Sequence, residues 1–307
     1  MAVSASHPHA TTPVQPDAPA IPGTNTRLTS GFQASVLIGL LLAVAAGVGL
    51  FVPGIYEADT AFAAAAFRGT DLVSLVVALP TLAGSLFLAR RGSGRALLVW
   101  LGILAYVTYT YLYSFAIVWN GLFLVYVALL SLSGFTLVRA LTALDANLFV
   151  DQFTDRTPVR SVSTFLWVIG AMLGLMELGQ VVPALLTGDV PDVVVKSGHP
   201  TGVIYILDLG LVVPLLVLAG HWLRAHRPWG YVAAAILLVN GITVGLGLLS
   251  SNLFGYLDSG HTDGPLLGLW ALIATASLLM LLRYLRAIHD QPIGPLANSA
   301  EHGHERN

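Results

Sequence analysis

Eight stretches of this chain, at about 33–53, 71–89, 96–119, 121–143, 161–187, 201–223, 229–252 and 265–287, are continuously apolar. A helix needs about 20 apolar residues to cross the roughly 30 Å hydrocarbon core of a bilayer, at about 1.5 Å of rise per residue. Each stretch meets that requirement. None alternates apolar and polar positions over about ten residues, as the strands of a membrane barrel do. The fold class that follows is an all-α polytopic integral membrane protein with eight transmembrane helices. Composition agrees, because 56% of the residues are hydrophobic and 10% charged, against about 25% charged in a soluble domain.

The basic residues orient the spans through the positive-inside rule. With both termini cytoplasmic, twelve of the fourteen Lys and Arg residues fall in inside segments, and only Arg68 and Lys196 fall outside. The first 30 residues carry Pro13, Pro16, Pro19 and Pro22 and lack the basic n-region of a secretion signal, so they read as a disordered cytoplasmic tail. Arginine outnumbers lysine thirteen to one in an Ala-, Gly- and Val-rich chain, a composition typical of a GC-rich bacterial genome. The expected location is therefore the bacterial plasma membrane.

Residues 75–94 and 211–230 align without gaps with ten of twenty positions identical, including Leu-Ala-Gly at 82–84 and 218–220 and Arg91 opposite Arg227. Val52-Pro53 ends the first stretch as Val182-Pro183 ends the fifth. These matches keep their order along the chain, so the sequence predicts a 4+4 parallel internal repeat. The units are a tail at 1–30, a four-helix membrane repeat at 31–143 and a cytoplasmic linker at 144–160. A second four-helix repeat at 161–287 and a polar cytoplasmic tail at 288–307 follow. Pro80 and Pro214 fall inside spans and should bend them. Gly170, Gly174, Gly241 and Gly245 form small-xxx-small spacings that permit close helix contact.

Glu177 and Asp208 are expected to be the only acidic residues deep within a span. A charge at the bilayer centre costs about 2.5–3.5 kcal/mol, so each requires a partner, a proton or water. Both fall in the outer half of consecutive antiparallel helices and can face one another. Gln180 lies one turn from Glu177, and Tyr205 lies one turn from Asp208. Tyr106, Tyr109 and Tyr113 form a stripe on the third span, and Asn240 lies within the seventh. The candidate substrate- or ion-binding residues are therefore Glu177, Asp208, Gln180, Tyr205, Tyr109 and Asn240. Nearby carboxyls raise one another's proton affinity, which suits a proton- or cation-binding site.

Several chemistries are excluded. The chain has no cysteine, hence no disulfide, thiolate metal site or iron–sulfur cluster. No histidine is placed mid-span for haem, no span holds a lysine for a retinal Schiff base, and no zinc-protease, nucleophile-elbow or phosphate-loop motif occurs. The net charge of −2 and the lack of basic runs exclude nucleic acid as a partner. No metal centre or cofactor is predicted, and an enzyme is the less favoured class. The preferred function is a small-solute or ion-coupled transporter or binding protein with a site in the outer half of the membrane. The competing readings are a non-catalytic subunit of a larger complex and a membrane-embedded enzyme acting on a lipid or quinone-like substrate. Expected partners are the lipid bilayer, a proton or cation, a small solute, and a protein partner or second copy.

Overall fold

The computed structural model describes residues 25–260 and 264–289. The tail at 1–24, the residues from 290 onward and His261, Thr262 and Asp263 lie outside the described residues. Among the described residues, eight helices are long and apolar enough to cross a membrane. They are α1 (Asn25–Phe51), α2 (Ala61–Arg90), α3 (Gly94–Leu112), α4 (Phe123–Ala143), α5 (Val159–Thr187), α6 (Val203–Arg224), α7 (Pro228–Ser259) and α8 (Gly264–Arg286). Among the described residues there is no strand, only an isolated bridge between Phe153 and Ile288. This architecture fits a multi-pass membrane protein in contact with a lipid bilayer. Hydrocarbon offers the backbone no hydrogen bonds, so a spanning segment must satisfy its own, which a helix does.

Helix ends follow local chemistry. The Thr60 hydroxyl accepts from the Ala63 amide to start α2, and Ser93 does the same for Ala96 in α3. Pro228 opens α7, where its missing N–H costs nothing. α2 begins ten residues earlier than the apolar stretch at 71–89 implied, because Ala61–Phe67 continues the helix outward from the Thr60 cap. α1 is already helical at Asn25, inside the segment expected to be a disordered tail. Pro183 lies within α5 rather than at its end.

Pro80 and Pro214 are accommodated by π turns. Residues Ser74–Ala78 of α2 and Asp208–Val212 of α6 are each widened. In both helices the residue before proline, Leu79 or Val213, donates five residues back, to the carbonyl of Ser74 or Asp208. Proline cannot donate and its ring crowds the preceding turn, so a wider turn keeps the helix continuous.

α3 is the most enclosed helix and α8 the least. α7 packs along α2, α3, α6 and α8, while α1 packs on α2 and α4. The buried core includes Trp100, Tyr106, Leu101, Leu104, Leu238 and Tyr284. Outward-facing residues are equally apolar, with Leu124 76% exposed, Phe135 78% and Leu186 82%. Such a surface suits lipid, where no hydrophobic penalty attaches to exposure. The glycine spacings act as their pattern implies: Gly170 and Gly174 lie against Leu216 and Val213, Gly241 against Ser277, and Gly245 against Ala274.

The 144–160 linker is tied down. Thr154 donates to Ala287 O at 3.0 Å, and His289 donates to Gln152 O at 2.7 Å. The Phe153 ring packs 4.7 Å from Tyr231 and 5.1 Å from Tyr284. The side of the bundle carrying this linker, the terminal side, also carries Asn25 and His289. The connections at 52–60, 113–122 and 188–202 lie on the far side.

Candidate functional site

Glu177 comes from α5, and Asp208 comes from the first position of the α6 π turn. Both are buried, at 5% and 7% exposure. α5 and α6 pack side by side, with the glycines of α5 set against Val213 and Leu216 of α6. This contact brings the two carboxylates into electrostatic range of one another. π turns recur at functional sites, and the extra residue here resets the direction in which Asp208 leaves its helix.

The surrounding polar groups are sparse. Tyr109 of α3 donates to Asp208 Oδ1 at 2.7 Å. Tyr205 donates to Gln180 Oε1 at 3.2 Å, and Gln180 Nε2 donates to Met176 O at 3.4 Å. Glu177 interacts electrostatically with Tyr109 and Tyr205, but its Oε2 is buried with no hydrogen-bond partner among the described residues. Arg68–Asp258 and Lys196–Asp192 are the described ion pairs, at 3.7 and 3.9 Å. Neither involves the buried acids. Two carboxyls held, among the described residues, by one phenol and no basic residue can be made electrically tolerable by a proton or a bound cation.

Five of the six predicted site residues, Glu177, Asp208, Gln180, Tyr205 and Tyr109, therefore form one group. Asn240 stands apart. Its Nδ2 donates to Gly102 O at 3.2 Å and to Ile236 O at 2.9 Å, which clamps α7 to α3. The tyrosine stripe also divides: Tyr109 and Tyr113 interact with Asp208, whereas the Tyr106 hydroxyl lies 3.0 Å from that of Ser74 on α2. Removal of the single phenol donor has a defined consequence. Tyr109→Phe is expected to lower stability by about 1.5–3 kcal/mol, the usual worth of a hydrogen bond to a charged group. A thermal melt beside wild type in one detergent measures it, and an unchanged midpoint would show that the bond carries no weight.

Far-side loops roof this group. His199 is buried between Phe67 and Tyr113, with ring centroids 6.4 and 6.2 Å away. Asp59 receives the Val118 amide on Oδ1 at 3.1 Å, and Thr60 donates to the carbonyls of Lys196 and Ser197. Burial lowers the His199 imidazole from its ordinary pKa, and the nearby Asp59 carboxylate partly restores it. Burial raises Asp59, opposed by the Val118 hydrogen bond and by His199.

The expectation that Glu177 and Asp208 are the only deep acids is corrected by Asp71. It is 7% exposed on α2 and accepts from the Tyr56 hydroxyl at 2.7 Å. The sequence signal for it is the Ala-rich run at 61–67 behind Thr60, which extends the helix beyond Asp71 even though Arg68 interrupts the hydropathy. No group of three or more His, Asp or Glu residues that could hold a metal ion occurs among the described residues.

No protein-family model matches this chain, and neither a curated protein nor a solved structure matches it.

Proposed function

We propose that the protein is a small-solute or ion-coupled transporter whose binding site is the Glu177–Asp208 group. The observation that carries this reading is a pair of buried carboxylates that, among the described residues, has one phenol donor at Asp208, no basic partner and an orphaned Glu177 oxygen. Structural glue would pair its polar atoms; a binding group keeps an atom free for its ligand. In this reading Glu177 and Asp208 bind the proton or cation, Tyr109 positions Asp208, and Gln180 with Tyr205 lines the approach of the solute.

The terminal side is the cytoplasmic side of a bacterial plasma membrane, on the strength of the twelve-to-two arginine and lysine distribution. The site then belongs to the outer half of the membrane, under the far-side loops. The 4+4 repeat draws support from the two π turns, each ending two residues before a proline in the second helix of its half. Proline-to-proline matching pairs Ser74 with Asp208. It differs by two residues from the register of the sequence identities, which pairs Leu75 with Leu211. One half carries serine where the other carries the acid, as expected when one copy has specialised.

The test is a thermal-stability scan of detergent-purified protein against panels of monovalent cations, small metabolites and short-chain quinones. The Glu177→Gln/Asp208→Asn double variant is scanned beside it. A ligand present at about 100 times its dissociation constant stabilises the native state by about 2.7 kcal/mol, which moves the midpoint by several degrees. A cation or metabolite shift in wild type that the double variant lacks is the expected result. Identical profiles for the two proteins would overturn the reading, and a quinone-only shift would favour the enzyme class.

A further inference from the structure

Asp71 belongs to a second polar group, separate from the Glu177–Asp208 site. Tyr56 donates to its Oδ2, and no basic side chain among the described residues pairs with it. The groups facing it are phenols. Tyr56 comes from the loop after α1, Tyr106 and Tyr111 from α3, and Tyr126 from α4. From α1 it is Gly49 that stands against the carboxyl. A Cβ on Gly49 would lie 2.7 Å from Asp71 Cγ and 2.8 Å from the Tyr56 hydroxyl. The absence of a side chain at position 49 is what makes room for a carboxyl in this cradle.

A second observation concerns the far side of this cradle. Tyr126 is 6% exposed, and its hydroxyl is buried without a hydrogen-bond partner among the described residues. That hydroxyl faces Tyr56 and Asn120. The Tyr126 ring lines a far-side cleft of about 240 Å³ between the loop at 114–120 and the face of α4 that carries Phe123, Val127 and Leu130. The polar sequence from surface to interior is therefore cleft, Tyr126, Tyr56, Asp71.

We propose that Asp71 is a second proton-binding site, loaded from the far-side cleft through the hydroxyls of Tyr126 and Tyr56. A hydronium ion that reaches the Tyr126 oxygen from the cleft, past the side chains that cover it in this structure, gives it a proton and leaves as water. Tyr126 passes its own hydroxyl proton to Tyr56 after a rotation of the C–O bond, and Tyr56 passes its proton to Asp71 Oδ2. Both phenols end neutral, and one O–H bond has formed on the carboxylate. Tyr126 stands next in line because its hydroxyl interacts with that of Tyr56, which in turn donates to Asp71. The site stands apart from the proposed transport site, although α3 contributes tyrosines to both.

Difference infrared spectroscopy of the full chain in lipid, between acid and neutral buffer, reads this site without any transport assay. The wild type is expected to show a protonated-carboxyl C=O band that Asp71→Asn removes and that Glu177→Gln/Asp208→Asn retains. Tyr56→Phe is expected to shift the band, since the carbonyl loses its donor, and it keeps the test alive if Asp71→Asn does not fold. A band insensitive to both substitutions overturns the proposal. So does a band that disappears on adding NaCl at constant pH, which would make the occupant a sodium ion. For the route, transfer into D2O should exchange the band at least tenfold more slowly in Tyr126→Phe than in wild type, and equal rates would overturn the path through Tyr126.

Discussion

Glu177→Gln is expected to abolish uptake, into proteoliposomes, of the solute that stabilises the wild type, while the fold survives. The residue makes no hydrogen bond through Oε2, so replacing that oxygen by an amide removes charge without breaking a contact. Removing one member of a buried charged interaction costs about 2–5 kcal/mol of binding, and at about 1.4 kcal/mol per decade the middle of that range exceeds a hundredfold loss. The midpoint of thermal unfolding should match wild type or exceed it, because a charge that costs about 2.5–3.5 kcal/mol in the bilayer has gone. Asp208→Asn should behave alike, since an amide oxygen still accepts from Tyr109. Uptake at the wild-type rate in both variants would remove these acids from the mechanism and leave the subunit reading.

The largest structural effect is expected at Gly69. A Cβ there would lie 2.3 Å from the Ser251 backbone nitrogen and 2.6 Å from its Cα. α2 and α7 meet backbone to backbone at this point, and the Ser251 hydroxyl donates to Ala66 O at 3.2 Å across the contact. Overpacking against flexible side chains costs about 1–3 kcal/mol, and here the obstacle is main chain that cannot turn aside. Gly69→Leu should therefore destabilise by about 3 kcal/mol or more and yield aggregated protein on size-exclusion chromatography. Gly84, further along α2, has open space where a Cβ would stand, with nothing within 4 Å, so Gly84→Leu should stay within about 0.5 kcal/mol of wild type. Equal behaviour of the two variants would mean that α2 and α7 do not approach so closely.

Much of the grouping around Glu177 and Asp208 is legible in the sequence. Glu177 and Asp208 stand out because acids are costly in apolar helices, and the one-turn spacing from Glu177 to Gln180 and from Asp208 to Tyr205 places neighbours on shared faces. Tyr109 can be selected as a candidate, but its bond to Asp208 depends on where α3 lies relative to α6. Asn240 shows the limit of the same logic. Its polarity and depth resemble those of the site residues, yet a close approach of α7 to Gly102 makes it a clamp. Asp71 escapes because hydropathy alone places the membrane boundary where charge first appears, whereas the helix continues past Arg68 to the Thr60 cap.

What the sequence determined by itself is the class of fold. Eight apolar runs of sufficient length demand helices because only hydrogen bonds made within each segment satisfy a backbone in hydrocarbon. Which faces of those helices meet, and so which polar atoms find partners, was decided only in three dimensions. Helix contacts within a membrane arise from close packing rather than from a hydrophobic drive, and apolar residues line both the core and the lipid face. Hydropathy therefore cannot tell the two apart. The glycine approaches at Gly69, Gly102, Gly170 and Gly174 and the two π turns set helix rotation and spacing. Those contacts place Tyr109 against Asp208 and Tyr56 against Asp71, and leave the Glu177 oxygen unpartnered.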